Sequence, residues 1–300
     1  MLLDIQQAAA VASALGLDEH GLRVASAPGG DIAESVVLQA ADATVFVKTL
    51  PLERAGLLSA EADGLEALAE VGEVRVPKFI RRGTLGDHAW LALEYLEMEQ
   101  PGDRADQRLG RQLAALHRHG AEAFGWHRSN YIGLTPQNNT RVDDWTAFFA
   151  DRRLAPQFDR LHRHLPGQGW SRRQKDISVA WRKASDGHKP QPSLIHGDLW
   201  RGNVAALPEG TPVIFDPSIH YADRECDLAM AHLFGGFGEA FYRAYEQAWP
   251  LPPGFETQRL FYQLYHLLNH ANLFGGHYVE ASVQLCRRIR QPPDEPAAAC

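Results

Sequence analysis

A chain of 300 residues is too long for one small core and suits one large or two modest domains, and its 45% apolar and 22% charged content is ordinary for a globular protein. Thirty basic residues against 37 acidic ones leave a net charge of -7, which gives no reason to expect nucleic acid or an anionic membrane as a partner. Cys226, Cys286 and Cys300 are odd in number and widely spaced, so they describe neither a disulfide framework nor a zinc site, and they suit a reducing compartment.

The opening MLLDIQQAAAVASALGL lacks a cationic leader and carries Asp4 where a signal peptide would be basic. It reads as an amphipathic helix ended by Gly16. No window reaches the roughly 18 apolar residues of a membrane span, and the expected location is the cytoplasm. LRVASA, VVLQA and ATVFVKTL lean towards strand, with the turn signals PGGD and AADA between them. SAEADGLEALAEVG then places Ala62, Leu65, Leu68 and Ala69 at helical spacing, with Gly72 as the stop. VPKFIRRG and AWLALEYLE follow, the second apolar enough for a buried strand. These segments predict a small antiparallel sheet with one inserted helix.

Beyond Glu97 the pattern turns helical. DQRLGRQLAALHRHG carries the stripe Leu109, Leu113 and Leu116, and VDDWTAFFADRRLAPQF reads as a helix capped by Asp143 or Asp144. Residues 225–245 and the run FETQRLFYQLYHLLNHANLFGGHYVEASVQLCRRI are also helical in period. EQPGDRAD interrupts the pattern near residues 96–104. The expected division is therefore an α+β chain with an N-terminal lobe at 1–96, a mainly helical lobe at 97–290, and a disordered QPPDEPAAAC tail at 291–300.

The segment SLIHGDLWRGNVAAL looks like two short strands around a polar loop. Within it Asp198 is followed five residues later by Asn203, and the strand PVIFD then ends in Asp216. That order is the protein-kinase-like arrangement for phosphoryl transfer. Asp198 is suited to orient an attacking hydroxyl and accept its proton. Asn203 and Asp216 offer oxygens to magnesium, which needs few protein ligands because phosphate oxygens and water complete its shell. His196 reads as a buttress of the loop. Upstream, Lys48 lies in a strand as a phosphate-binding lysine would, and Glu61, thirteen residues later, is placed to pair with it. Gly29 and Gly30 offer a turn whose N–H groups suit phosphate. Singly, each has a plainer reading, HGD as a loop and Lys48 as a solvated strand lysine. Their joint order carries the inference.

HGDLWRGN, FDPSIHYADRECDLAMAHLFGGF and FYQLYHLLNHANLFGGHY resemble the fructosamine kinases, or ketosamine 3-kinases. GGDIAES, EADGLEAL, LGRQLAALH, FGW, NYIG, PQNNT and DDWTAFF extend the likeness from about Gly29 to Tyr278. HGDxxxxN alone is shared with aminoglycoside and choline kinases. The Trp after HGDL, the DP after the strand and LYHLLNH are more specific. The resemblance implies a bilobal kinase-like fold and ATP- and Mg2+-dependent phosphorylation of the sugar 3-hydroxyl of ketoamines. The substrates would be fructosamine or ribulosamine adducts of lysine, free or on proteins, and the unstable product would fall apart, repairing glycation. In those terms Asp198 is the base, Asn203 and Asp216 hold magnesium, and Lys48 with Glu61 positions the phosphates. Glu94, Tyr95 and Leu96 would form the adenine-binding hinge, and Trp200 and His270 would lie beside the sugar. The glycine turn departs from the family pattern by carrying Ala33-Glu34 in place of asparagine-rich sequence.

Other conspicuous residues have competing readings. His117 and His119, and His162 and His164, flank arginines at i,i+2, which face different ways on a helix, and no cysteine or carboxylate cluster completes a metal site around them. The basic stretch from Arg152 to Lys175 is interspersed with acids and reads as a solvated face. Phe261, Tyr262, Tyr265, His266 and Phe274 read as a core stripe. His270 stands open between a satisfied core histidine and a substrate ligand. An aminoglycoside- or choline-type kinase would gather more acids in the helical lobe than Glu256 and Glu280. A nucleotide-binding pseudokinase would have no need of Asp198.

Overall fold

Alternating apolar runs build a five-stranded antiparallel sheet in the computed structural model, which describes residues 3–27 and 32–291. Its strands are β1 (Arg23–Ser26), β2 (Glu34–Gln39), β3 (Thr44–Pro51), β4 (Phe79–Leu85) and β5 (His88–Glu94), in the spatial order β1-β2-β3-β5-β4. The helix α1 (Ile5–Leu15) starts on a reciprocal cap, with Asp4 Oδ1 accepting the N–H of Gln7 at 2.8 Å and the Gln7 side chain accepting that of Asp4 at 3.0 Å. Ala8 and Val11 bury its apolar face against Val36, Leu38, Val45, Val47, Trp90 and Ala92. The helix α2 (Ala55–Val71) buries Leu58, Ala62, Leu65 and Leu68. Each such leucine contributes roughly 1.5–3 kcal/mol. The predicted stops Gly16 and Gly72 both adopt the left-handed conformation, φ 74°, that ends a helix without a Cβ clash.

The helices that follow are α3 (Asp103–Leu116), α4 (Trp145–Phe149), α5 (Ala155–His164), α6 (Trp170–Ala184), α7 (Glu225–Ala231), α8 (Glu239–Ala248), α9 (Phe255–Phe274) and α10 (His277–Arg290). Short strand pairs lie among them. They are β6 (Asn130–Ile132) with β7 (Thr135–Gln137), β8 (Ser193–Ile195) with β11 (His220–Ala222), and β9 (Val204–Ala206) with β10 (Pro212–Ile214). The strands flanking the HGD loop therefore exist as expected, but β8 and β9 pair with different partners.

Two compact units emerge, each assembled from three chain segments. The first comprises the described residues of Met1–Ala115, Gly202–Ser218 and Gly238–Tyr245, and the second those of Leu116–Arg201, Ile219–Phe237 and Glu246–Cys300. Backbone bonds explain why β9 and β10 belong to the first. Glu99 and Ala206 exchange N–H···O bonds of 2.8 and 2.9 Å, and Ile214 N–H donates to Arg75 O at 3.0 Å. The core of the second unit gathers Trp145, Phe148, Phe149, Phe158, Trp181 and Tyr262.

Three sequence expectations need correction. VDDWTAFFADRRLAPQF is not one regular helix: a π-helical segment, Ala150–Leu154, separates α4 from α5, just before Pro156, which has no N–H to continue the ladder. Asp144 is the cap, accepting the N–H of Ala147 at 2.6 Å. Phe274 is 52% exposed and leaves the core stripe, whereas Phe261, Tyr262, Tyr265 and His266 stay in it. Residues 225–245 are α7 and the start of α8, parted by Gly235 and Gly236 at positive φ. The predicted tail, apart from Gln291, lies outside the described residues.

Candidate active site

In the first unit the site is built on strand alternation. Val45 and Val47 of β3 enter the core beneath α1, so Lys48 points to the opposite face. There its Nζ meets Glu61 Oε1 of α2 at 2.7 Å and Asp216 Oδ1. Burial lowers the Lys48 pKa, but attraction to Asp216 and Glu61 outweighs it, and the ammonium is held above the ordinary lysine value. One ammonium faces two carboxylates. Burial, reinforced by the Asp216 charge and opposed by Lys48, pushes the Glu61 carboxyl up to about 7.

Asp216 is the one non-glycine residue at positive φ, 56°, among the described residues. That conformation costs about 1–2 kcal/mol, and such strain collects where side-chain placement matters more than stability. The preceding Phe215 donates its N–H to Asn203 O at 3.1 Å, and Val204 pairs with Ile214 in the hairpin register. The β9–β10 hairpin thus brings Asn203 and Asp216, thirteen residues apart, to one end. Their oxygens form a hard donor set of the kind magnesium prefers, and the half-exposed Asp216 side chain has room to use it.

Glu94 ends β5, and its carboxylate is committed locally. Arg75 Nη2 lies 2.6 Å from both oxygens, and the Lys78 N–H donates at 3.1 Å. Burial acts against ionisation, yet the Arg75 and Lys78 hydrogen bonds outweigh it and hold the Glu94 carboxyl below its usual range. Tyr95 and Leu96 follow as irregular backbone, with Tyr95 41% exposed. Gly29 and Gly30 lie outside the described residues.

In the second unit the loop after β8 carries Asp198, whose side chain is 22% exposed. His196 is fully buried, and its Nδ1 accepts the Asp198 backbone N–H at 3.2 Å. The loop is anchored from below by Asp227 of α7. Asp227 Oδ2 accepts the His196 N–H at 2.7 Å, and Oδ1 accepts that of Gly197 at 2.8 Å. His117 Nε2 lies 3.2 Å from the same carboxylate, which explains a histidine that is not part of a metal pair. Burial raises the Asp227 pKa, but the His117 hydrogen bond and neighbouring charges prevail and lower it.

Trp200 and His270 are joined by Phe234. The Trp200 and Phe234 rings are 6.4 Å apart edge-to-face, Phe234 and His270 are 4.7 Å apart, and His270 is 5.0 Å from Tyr278. Trp200 is 38% exposed. His270 Nδ1 lies 2.8 Å from His266 O, which fixes the proton on Nδ1 and leaves Nε2 as an acceptor. Burial chiefly, with the charge of His277, lowers the His270 pKa despite that backbone bond. His266 is buried, with Nδ1 4.0 Å from Asp198 Oδ1, and burial followed by His270 pushes its pKa down to about 3. It faces Asp198 as a neutral ring.

Asp227, Phe234 and Tyr278 have no role in the sequence reading, and His266 enters it only as a core residue. Asp227 carried a usable signal, an acid set within the apolar helical run DLAMA, where burial demands partners. Phe234 carried none, because its ring contacts with Trp200, His270 and Tyr278 span 34 to 44 residues and leave no local pattern.

The sheet with its inserted helix and the mainly helical remainder define a protein-kinase-like fold. A spectinomycin phosphotransferase crystallised with ADP and spectinomycin shares it at a TM-score of 0.57, with 14% identity over 99% of this chain and 96% of that one. The family described as fructosamine kinase matches residues 5–291. The Synechocystis sp. protein named probable ketoamine kinase is 42% identical over 271 residues, 88% of this chain and 90% of its own length. A Vibrio cholerae protein of the same name is 40% identical over 92% of this chain and 95% of its own. A Thermobifida fusca crystal structure, assigned as a fructosamine-3-kinase, superposes at a TM-score of 0.81 with 32% identity, covering 96% and 99% of the two chains. The chain belongs to the fructosamine kinase family, a family of phosphotransferases.

Proposed function

We propose that this protein is an ATP-dependent ketoamine kinase that phosphorylates the sugar 3-hydroxyl of fructosamine or ribulosamine adducts of lysine, free or on proteins. The phosphorylated adduct then breaks down, so the reaction serves deglycation. The observation that carries the reading is the Lys48–Glu61–Asp216 ion cluster in a chain of this family. An ammonium held charged between two carboxylates, one of them in a strained backbone conformation, is a costly arrangement for stability alone.

Lys48 offers its charge to nucleotide phosphates, and Glu61 holds it in place. Asn203 and Asp216 are the oxygen donors for magnesium, which when bound neutralises charge on the phosphates. Asp198 accepts the proton of the attacking hydroxyl, on a loop whose N–H groups Asp227 and His196 restrain. Trp200 supplies a flat apolar wall for the C–H face of a sugar. His270, neutral and with Nε2 as acceptor, receives a hydrogen bond from a sugar hydroxyl. The backbone of residues 94–96 serves as the adenine hinge, with the Glu94 carboxylate tied back to Arg75.

ATP turnover measured side by side on ribulosyl-lysine, fructosyl-lysine, kanamycin and choline tests the assignment. Turnover confined to the two ketoamines is expected. Preference for kanamycin or choline would move the protein to another branch of the fold, and ATP binding without turnover on any acceptor would make it a pseudokinase.

A further inference from the structure

The start of α7 holds two buried carboxylates that the kinase reading leaves without a task. Asp223 and Glu225 are each 1% exposed. Asp223 is well satisfied: Oδ2 lies 2.6 Å from His188 Nε2 and accepts the Tyr262 hydroxyl at 2.6 Å, while Oδ1 accepts the Glu225 N–H at 3.0 Å. Glu225 is different, because its Oε2 is buried without a hydrogen-bond partner. The intervening Arg224 extends to the carbonyls of Trp249 and Pro250, at 3.0 and 2.6 Å, and lies over the Trp249 ring.

The donor atoms of His188, Asp223 and Glu225 all lie within 4.8 Å of one another. Two ligands on one zinc ion, each bonded at about 2.0–2.2 Å, stand roughly 3.4 Å apart in a tetrahedron. The group spreads to at most 4.8 Å, while His188 and Asp223 stand at 2.6 Å, closer than two ligands of one ion, so a bound ion replaces their hydrogen bond and the side chains rotate to share it. All three residues line a cavity of about 650 Å3 within the second unit, which admits water as a further ligand.

We propose that His188, Asp223 and Glu225 form a binding site for a divalent transition-metal ion such as zinc, completed by water from the cavity. One imidazole with two carboxylates suits such an ion, whereas the all-oxygen pair Asn203 and Asp216 suits magnesium. Tyr262 supports the arrangement from outside, donating to Asp223 while accepting the Trp145 indole N–H at 3.0 Å. The ion would clamp the chain around His188 to the start of α7, two residues before Asp227, which anchors the His196 and Gly197 backbone. It is a structural clamp and does not depend on which acceptor the kinase uses.

The test is calorimetric titration of the chelator-treated, full-length Cys300→Ser protein with Zn2+, in excess Mg2+ and without nucleotide. One Zn2+ per chain is expected, with a rise in melting temperature on loading. Glu225→Gln and His188→Ala should each weaken uptake by at least about 10-fold, the scale on which even outer partners of a metal act, while leaving ATP binding unchanged. His188 is partly exposed, so its variant carries the test if Glu225→Gln fails to fold. No saturable uptake by the parent protein, or uptake unaffected by the His188 substitution, overturns the proposal.

Discussion

Lys48 is charged because Asp216 and Glu61 outweigh its burial, and the loop that carries Asp198 is tied down because the His196 and Gly197 N–H groups donate to the Asp227 carboxylate. Asp198→Asn keeps shape but removes the proton acceptor, so phosphorylation should fall about 100- to 10,000-fold while ATP binding persists. Turnover within about threefold of the parent on a ketoamine, below the smallest general-base effect, would take Asp198 out of that role. Trp200→Ala removes an aromatic wall worth about 1–3 kcal/mol, so the ketoamine KM should rise roughly 5- to 150-fold with the ATP KM unchanged. His270→Ala should act in the same direction. If steady-state kinetics show both variants impaired only towards ATP, the sugar binds elsewhere.

Helix packing sets the next scale. A Cβ added to Gly110 on α3 would stand 2.3 Å from Phe241 O and 3.0 Å from Tyr245 N, both backbone atoms of α8. Backbone cannot rotate out of the way, so Gly110→Ala should cost about 1–3 kcal/mol, read as a lower denaturation midpoint at unchanged slope. Wild-type stability in that variant would mean that α3 and α8 do not approach as described. On α9 the prediction concerns pH. Burial depresses His266 from 6.5 to about 3. Between those values the unfolded chain binds a proton that the folded chain refuses, so stability falls as pH falls. The slope approaches about 1.4 kcal/mol per pH unit for one full proton. Urea denaturation at about pH 7 and about pH 5 should show His266→Asn losing less stability than the parent over that interval. Equal losses would show that His266 is not excluded from protonation.

Across the molecule, thiol chemistry follows burial. The Cys226 thiol is raised well above its ordinary value by burial and by Asp223, Asp227 and Glu225, and burial pushes Cys286 up to about 12. Reactivity follows the thiolate. Native alkylation followed by mass spectrometry should therefore leave both cysteines unlabelled, with any fast labelling at Cys300. Rapid modification of Cys226 would contradict the raised thiol pKa that burial and its acidic neighbours impose. No helix among the described residues is long and apolar enough to cross a membrane.

Much was legible before any coordinates. Periodicity located the five strands, α1, α2 and α3, because burying one face of a sheet or helix writes its period directly into the chain. The order Lys48, Glu61, Asp198, Asn203, Asp216 pointed to a kinase, the class to which the family belongs, because phosphoryl transfer calls for a cation, carboxylates and a neutral oxygen donor together. Tertiary structure alone decided the rest. That Asn203 and Asp216 share a compact unit with Lys48 depends on hydrogen bonds from Glu99 and Arg75 to a distant hairpin. That His117 serves Asp227 depends on a contact across 110 residues. The meeting of His188 with Asp223, 35 residues further on, is likewise set by the fold and not by any local pattern. Local sequence encodes which face of an element is apolar, but a polar side chain takes its partner, and so its charge state, from whatever the folded chain brings beside it.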